Sequence, residues 1–215
     1  MRVFGKREYA SGDSLRRIDW KSSASSGRLQ VKQFEPSIAL ETCILLNLNG
    51  EDYYYRSRLD SMELAIVIAA SVANWIAEKK QVVGLVVNGR DPLAGDGLPQ
   101  AIPPRKGKRH LMRLLETLAR VEATEKSAFA ALMQQQRYHL AWGTTLIVIT
   151  GHVNDLILDE LHQARRSGQN PVLILAGRDT ADPSMEQRAK VLGIPCISVG
   201  IESDLRIWMQ GARRG

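Results

Sequence analysis

The chain has 215 residues, of which 44% are hydrophobic and 24% are charged. This length and composition fit one large α/β domain, or a domain with an appendage, that can bury a hydrophobic core. They exclude intrinsic disorder, a collagen-like chain and a disulfide-stapled scaffold. The 29 lysines and arginines outnumber the 23 aspartates and glutamates, which gives a net charge of +6 and a surface that mildly favours anionic partners.

The cysteines and the apolar segments bear on where the protein resides. Cys43 and Cys196 both lie in apolar runs, which predicts two buried thiols and a reducing, cytoplasmic compartment. The first twenty residues are mostly polar or charged, unlike a secretory signal. The most apolar helical stretch, Leu64–Ala77, is shorter than the roughly 20 residues that cross a bilayer. Met1 stands almost against the first motif, as it would in a chain trimmed from a longer protein.

After Pro36, the hydrophobic pattern alternates between strands and helices. The predicted strands are Ala39–Leu48, Gln81–Val87, a short edge strand at Gln100–Ile102, Thr144–Thr150, Pro171–Ala176 and Pro195–Val199. The predicted helices are Leu59–Ile76, Lys108–Val121, Ser127–His139, Asn154–Ser167, Pro183–Leu192 and Ser203–Gln210. Continuous apolar strands that alternate with amphipathic helices predict a doubly wound, mainly parallel α/β sheet covered on both faces.

The segment before this sheet carries an unusual motif. Residues 7–25 read REYASGDSLRRIDWKSSAS, which is too polar for a core strand and too aromatic for a free tail. We expect residues 1–36 to form a clasp on the domain, with Trp20 largely buried and Arg16 paired with Asp13 or Asp19. Alternatively, the motif is a docking surface for a partner. The candidate partner-binding residues are Arg7, Tyr9, Asp13, Arg16, Arg17, Asp19 and Trp20.

This motif resembles the signature of the domain of unknown function 58 family, R-E-Y-x-x-G-D-x-x-R-x-I-D-W-x-x-S-A-R followed by V-x-x-F-E. The match is ungapped, continues in Val31-Lys32-Gln33-Phe34-Glu35, and departs at Ser25, where the signature has arginine. The resemblance implies a von Willebrand factor A-like, Rossmann-type domain, here residues 37–215. It also implies a MoxR-type AAA+ ATPase as partner. Many family members carry two N-terminal transmembrane helices, so this chain could be the cytoplasmic domain of a membrane-anchored protein.

The resemblance also raises the question of a metal site. In von Willebrand A domains, the first strand-end loop supplies Asp-x-Ser-x-Ser, because a hard divalent cation needs oxygen ligands, at least one of them charged. A later strand is followed by an aspartate, whereas this chain has Thr150-Gly151-His152. We therefore expect no metal and no cofactor, and a crevice lined by amides and a hydroxyl. The degenerate positions are Asn47, Asn49, Glu51 and Thr150.

The sequence is also compatible with two other binding functions. One is a metal-dependent ligand-binding domain with a site remodelled around Glu51, Asp52 or Asp155. The other is a binder of anionic surfaces, nucleic acid or membrane, for which a second basic cluster is the candidate. That cluster lacks interleaved aromatic residues, so we expect no sequence-specific nucleic-acid binding. The candidate anion-binding residues are Arg105, Lys106, Lys108, Arg109 and Arg113.

The sequence offers no catalytic motif. Its four histidines have no partner at metal-ligand spacing, and it contains neither a G-x-S-x-G elbow nor a phosphate-binding glycine loop that follows a strong strand. We therefore expect a non-catalytic protein-interaction or adaptor module. With the family resemblance, this becomes a module that acts with a MoxR-type ATPase in the assembly or maturation of a complex.

Overall fold

The computed structural model describes residues 2–10, 18–35, 41–94, 101–125, 128–178, 183–205 and 207–208. The chain divides into two compact units, Met1–Ala39 and Leu40–Gly215. Residues 11–17 of the N-terminal motif lie outside the described residues; these include the candidates Asp13, Arg16 and Arg17, and with them the predicted ion pair of Arg16. The clasp itself stays a prediction.

The first unit contains a two-stranded antiparallel sheet, formed by β1 (Arg2–Glu8) and β2 (Gln30–Glu35). A short helix, α1 (Trp20–Ser26), lies between them in the chain. Asp19 caps this helix, because its Oδ1 accepts a hydrogen bond from the Ser22 amide at 3.2 Å. The helix ends at Gly27, whose φ of 68° is a left-handed conformation that glycine adopts without strain.

The second unit is a six-stranded sheet flanked by helices, within the residues that the structure describes. Its strands are β3 (Glu41–Leu46), β4 (Val82–Val87), β5 (Ile102–Arg105), β6 (Thr145–Thr150), β7 (Asn170–Ala176) and β8 (Cys196–Val199). Its helices are α2 (Arg58–Glu78), α3 (Lys108–Leu118), α4 (Phe129–Arg137), α5 (Asp155–Arg166) and α6 (Pro183–Val191). Residues 202–205 and 207–208 are also helical. The strand order is β5-β4-β3-β6-β7-β8, and every pair is parallel except β4 with β5. The predicted doubly wound, mainly parallel α/β sheet is confirmed.

The sheet is buried on both faces, which is why its central strands read as continuous apolar runs. In β3, Ile44 and Leu46 belong to the hydrophobic cluster that includes α2, while Cys43 and Leu45 belong to the cluster that includes α5. Burial raises the pKa of the Cys43 thiol to about 12. Cys196 is only half-buried, so the prediction of two buried thiols was wrong for this residue; its partial burial and the nearby Glu186 raise the pKa of its thiol to about 11. Both thiols are unpaired and are poor nucleophiles at neutral pH.

Two elements differ from the sequence prediction. The edge strand is Ile102–Arg105 rather than Gln100–Ile102, because Val83 pairs with Arg105 and Leu85 with Ile102. An edge position tolerates Pro103 and Pro104, since a proline there removes no obligatory ladder hydrogen bond. Helix α2 is longer than predicted. With the turn before it (Tyr55–Glu78), it is long and apolar enough to cross a membrane by length and composition, and half of its most apolar window is buried inside the protein.

The strand order places a crevice at the carboxyl edge of the sheet. Strand β3 lies between β4 and β6, so the chain leaves β3 toward one side of the sheet and later continues on the other. Loops diverge where such a reversal occurs, and open α/β sheets bind ligands in the resulting crevice. The residues that follow β3, β4 and β6 meet at this point.

Candidate functional site

Asn47 is the centre of a buried polar network at the carboxyl edge. It follows β3, and its backbone is fixed by a 2.9 Å hydrogen bond from its own amide to the carbonyl of Ile149. Its side-chain Nδ2 donates to Thr150 Oγ1 at 3.0 Å and to Asp52 Oδ2 at 2.9 Å. Both Asn47 and Thr150 are fully buried. The structure therefore brings together residues that stand 103 positions apart in the chain.

Two members of this network were not singled out from the sequence. Asn88 follows β4 and is fully buried; its Nδ2 donates to Asn47 Oδ1 at 2.7 Å, and its Oδ1 accepts from the Leu48 amide at 2.5 Å. Tyr53 is also buried, and its hydroxyl donates to the Asn47 carbonyl at 2.5 Å. Burial and the negative charge of Asp52 raise the pKa of Tyr53, so its hydroxyl remains a donor at neutral pH.

The carboxylate of this network is Asp52. Its Oδ2 accepts from Asn47 Nδ2 and also from Asn49 Nδ2, the latter at 3.0 Å. Both donors are neutral amides, so the hydrogen bonds satisfy the oxygen without neutralising its charge. The Asn49 amide in turn donates to Asn47 Oδ1 at 3.0 Å. Asn47, Asn49 and Asp52 thus fill most of one another's hydrogen-bonding capacity.

The side chains of the other residues considered for a metal form no hydrogen bond with this network among the described residues. Glu51 is exposed on the same turn, and His152 is exposed with its carbonyl accepting from Thr150 Oγ1 at 3.0 Å. Asp155 forms an ion pair with Arg188 at 2.5 Å. Among the described residues there is no group of three or more histidine, cysteine, aspartate or glutamate side chains that could hold a metal ion.

Gly151 shows that steric packing, as well as residue type, shapes this edge. A Cβ atom at Gly151 would lie 2.2 Å from Cδ1 of the Tyr53 ring. Real Cβ atoms do not approach other heavy atoms so closely. The position after β6, where the resemblance led us to look for an aspartate, is therefore closed by an aromatic ring in this chain.

The loop that follows β4 is anchored to the segment after α3. Arg120 Nε lies 3.0 Å from Asp91 Oδ1, and Arg90 pairs with Glu122 at 2.6 Å. The hydrogen bond from Arg120 lowers the pKa of Asp91. Gly89 allows this contact, because a Cβ there would lie 2.6 Å from the Glu122 carbonyl oxygen. These contacts hold Asn88 in place beside Asn47.

Exposed apolar side chains lie in the loop after β3, in the first turn of α2 and at the start of α5. Tyr54 and Leu156 line cavities that border Asp52 and Glu51. Tyr55 is 84% exposed, and Leu59 in the first turn of α2 is also exposed. The guanidinium of Arg58 lies 5.8 Å from the centre of the Tyr55 ring, which restrains the tyrosine. We call Tyr54, Tyr55, Leu59 and Leu156 the aromatic rim.

The predicted anion-binding cluster forms a continuous surface around the start of α3. All five of its cations are exposed, and none forms an ion pair in the described part of the chain. The first turn of α3 contains no acidic residue, so the cluster adds to the positive end of the helix instead of offsetting it. We call Arg105, Lys106, Lys108, Arg109 and Arg113 the basic surface.

The N-terminal motif differs from the prediction at its tryptophan. Trp20 is the first residue of α1 and is 67% exposed, so the expectation that it is buried was wrong. The buried hydrophobic residues in the described part of this segment are Ile18 and Val31, which face each other in an isolated bridge. Asp19 forms an ion pair with Lys6 at 3.1 Å. Aromatic character favoured burial, but Trp20 starts α1 directly after the cap at Asp19 and its ring lies on the exposed side of that helix.

The other described candidates of the motif lie close to β1. Tyr9 is half-buried, and its amide donates to the Leu29 carbonyl at 2.8 Å. Arg7 is exposed, and its guanidinium donates to the Glu8 carbonyl at 3.1 Å. Their role as partner-binding residues stays a prediction.

We expect Trp20→Ala to change the free energy of unfolding by less than about 0.5 kcal/mol, because an exposed side chain contributes little packing. Ile18→Ala serves as the matched variant, with an expected loss of about 2–4 kcal/mol from removing a buried aliphatic side chain. Chemical denaturation of both variants measures the difference. Equal losses in the two would show that the indole ring is packed in solution.

Comparison with known proteins supports the fold. A family model described as "Protein of unknown function DUF58" matches residues 5–187. The uncharacterized protein YeaD of Bacillus subtilis is 24% identical over 189 residues, which cover 86% of this chain and 42% of YeaD. The chain therefore spans less than half the length of this curated relative.

Solved structures with similar folds share little sequence. An aerotolerance-related membrane protein from Bacteroides fragilis is 12% identical, with 79% of this chain and 97% of that chain covered and a TM-score of 0.52. A von Willebrand factor type A protein from Catenulispora acidiphila is 13% identical, with 77% and 39% covered and a TM-score of 0.49. At this identity, the similarity concerns the fold alone. The similarity to the Bacteroides protein agrees with the mainly parallel α/β sheet described above.

Proposed function

The chain belongs to the family described as Protein of unknown function DUF58, and we propose that it is a non-catalytic protein-interaction module that docks a partner on its carboxyl edge. The observation that carries the proposal is the polar network centred on Asn47. Its amides, hydroxyl and carboxylate bond to one another, and exposed aromatic and aliphatic side chains lie in the neighbouring loop and helices. Such a surface is better suited to contact with another protein than to catalysis.

The described residues support a non-catalytic role. The two thiols have raised pKa values, which leaves little thiolate at neutral pH. The candidate acids and the histidine of the edge do not converge: Asp155 pairs with Arg188, and His152 contributes its backbone carbonyl to the network. An enzyme would need a nucleophile, base or metal near a common point.

The aromatic rim supplies the features that a docking surface needs. Tyrosine is enriched at protein interfaces because it combines a large apolar ring with a hydroxyl and has little conformational entropy to lose. Tyr54 and Tyr55 are exposed next to a rigid, hydrogen-bonded edge. A partner that covers them would bury apolar surface without first having to order a flexible loop.

We propose a MoxR-type AAA+ ATPase as the partner, in the assembly or maturation of a complex. The N-terminal signature supports this proposal through the family resemblance. We also propose a cytoplasmic location, either for a soluble protein or for the cytoplasmic domain of a membrane-anchored one. The two unpaired cysteines fit a reducing compartment.

The basic surface supports a second candidate function, the binding of an anionic surface. The first turn of α3 has no acidic residue, so the five exposed cations repel one another and the positive end of the helix, and an anionic partner would relieve that repulsion. Vesicles that contain phosphatidylglycerol would then bind the chain with a steep dependence on salt. Arg109→Glu with Arg113→Glu would abolish that binding.

The main proposal is tested by measuring binding to a purified MoxR-type ATPase encoded in the same genome. We expect Tyr54→Ser with Tyr55→Ser to weaken the complex by at least about tenfold, as is typical of central interface tyrosines. The matched control is Tyr138→Ser, since Tyr138 is equally exposed but lies at the far end of α4. EDTA treatment of the chain followed by desalting should leave binding unchanged.

Three outcomes would contradict the proposal. Absence of binding would exclude this ATPase as the partner. Equal losses in the rim and control variants would exclude the carboxyl edge as the docking surface. A complex that forms only after divalent cations are returned to the EDTA-treated chain would favour the metal-dependent alternative.

A further inference from the structure

We propose that the crevice beside Asp52 accepts a cationic side chain, lysine or arginine, from the docked partner. The inference rests on the proposed function, because it specifies the chemistry of the group that the carboxyl edge recognises. It starts from Asn49, which is only 6% exposed. The backbone amide and Nδ2 of Asn49 both donate hydrogen bonds, whereas its buried Oδ1 has no partner.

An unpaired buried carbonyl oxygen is unusual in a folded protein. Most buried polar atoms are hydrogen-bonded, and an acceptor without a donor keeps its partial negative charge in a medium that screens it weakly. Asn49 Oδ1 is therefore a fixed source of negative potential at the edge of the crevice. The neighbouring carboxylates of Glu51 and Asp52 also carry negative charge.

The acidic groups here have no cationic counterpart. Asp52 accepts hydrogen bonds from neutral amides, and Glu51 is exposed on the same turn. The following arginines, Arg56 and Arg58, form no ion pair with either acid within the described chain. Arg58 lies instead against Gly50 and the Tyr55 ring. Two carboxylates and one unpaired oxygen thus leave the crevice negative.

The cavity beside these groups suits a long, amphipathic cation. It has a volume of about 410 Å³. Asn49, Glu51 and Asp52 form its polar side, and Phe129, Leu156 and Ile157 contribute apolar surface. Lysine and arginine pack an aliphatic stem on apolar surface while the charged head reaches polar groups. A partner side chain of this type would match both sides of the cavity.

The same groups are a poor fit for a divalent metal. Such ions prefer six or more oxygen ligands with several carboxylates among them. Asn47 Oδ1 already accepts from the Asn49 amide and from Asn88 Nδ2, and Asp52 Oδ2 accepts from two amides. The helix α5 also begins at this cavity, but Asn154 Oδ1 caps it by accepting from the Ile157 amide at 3.0 Å.

The inference is tested by titrating the chain with blocked single amino acids and following the side-chain amide signals of Asn47 and Asn49 by NMR. N-acetyl-lysine methylamide and N-acetyl-arginine methylamide should shift these signals saturably, in the millimolar range expected of such small ligands. The norleucine derivative has the same stem without charge and should bind at least about fivefold more weakly. The glutamate derivative should not bind.

Two variants test the acids directly. Asp52→Asn keeps an acceptor for both amides and removes the charge. Glu51→Gln alters an exposed residue that the fold does not need. Each variant should bind the lysine and arginine derivatives more weakly than the wild-type chain does. Glu116→Gln is the control, since Glu116 is exposed on α3 away from the crevice. Equal affinity for norleucine, preference for glutamate, saturable Mg²⁺ shifts of the same signals, or no effect of either variant would overturn the inference.

The test separates this inference from the proposed function, because the amino-acid probes do not depend on the identity of the partner. If the lysine probe binds and the ATPase does not, the cation site stands and the proposed partner is wrong. If the ATPase binds through the aromatic rim and Asp52→Asn leaves its affinity unchanged, the docking surface stands and the cation site is wrong.

Discussion

We expect Gly151→Ala to lower the free energy of unfolding by about 2–3 kcal/mol, in the upper range for overpacking of a well-packed interior. The added methyl group would lie 2.2 Å from Cδ1 of Tyr53, whose ring is buried and whose hydroxyl is bonded to the Asn47 carbonyl. Relieving the overlap therefore requires either displacement of the ring or loss of that hydrogen bond. Thermal melting should show a fall of about 5–10 °C for a chain of this length.

Gly200→Ala is the matched control for this prediction. A Cβ at Gly200 would find its closest neighbour, Asp204 Oδ2, at 3.4 Å, an ordinary contact. Neither glycine has a positive φ that would add backbone strain. If Gly151→Ala has the same melting temperature as the control variant, the Tyr53 ring does not occupy this position in solution. Replacement of Gly151 by aspartate should be worse than alanine, because it adds a charge against the same ring.

The close packing of Tyr53 against Gly151 bears on why this edge differs from a metal-binding loop. The sequence suggested that carboxylates were simply replaced by asparagine, threonine and glycine. The structure adds a steric cause, since Tyr53 fills the space that an aspartate after β6 would need. Restoring a carboxylate at Gly151 would thus require a smaller residue at position 53 as well.

The sheet could be predicted from local pattern because β3, β4, β6 and β7 are buried on both faces. Burial on both faces requires a continuous apolar run, and such a run is visible in a short window of sequence. The edge strand was misplaced because its register depends on pairing with β4, which outweighs the poor strand propensity of Pro103 and Pro104.

The candidate site could be predicted only in part. Asn47 and Thr150 were expected at the edge because both end apolar strands. Asn88 could not be singled out in the same way, because its hydrogen bonds to Leu48 and Asn47 depend on residues about 40 positions away in the chain. The exposure of Trp20 was also missed, because aromatic character favours burial and the sequence alone does not show which side of α1 is buried.

We expect Asn47→Asp to cost about 3–5 kcal/mol at neutral pH, the range for an uncompensated buried charge. The substitution replaces an amide that donates to Asp52 at 2.9 Å and to Thr150 at 3.0 Å with a carboxylate that can donate to neither. Two carboxylates would then face each other, with the new one at a fully buried position. Chemical denaturation of the variant and of the wild-type chain measures this cost.

The pH dependence of that cost identifies its electrostatic origin. Burial and the charge of Asp52 would raise the pKa of the new carboxyl above its value in the unfolded chain. The folded variant would therefore hold its proton more tightly than the unfolded one, so its penalty should shrink as the pH falls through that raised pKa and grow as the pH rises. Asn154→Asp is the control, because an exposed aspartate caps α5 as well as asparagine does. A penalty for Asn47→Asp that stays constant between about pH 5 and pH 8 would indicate lost hydrogen bonds rather than repulsion between the two carboxylates.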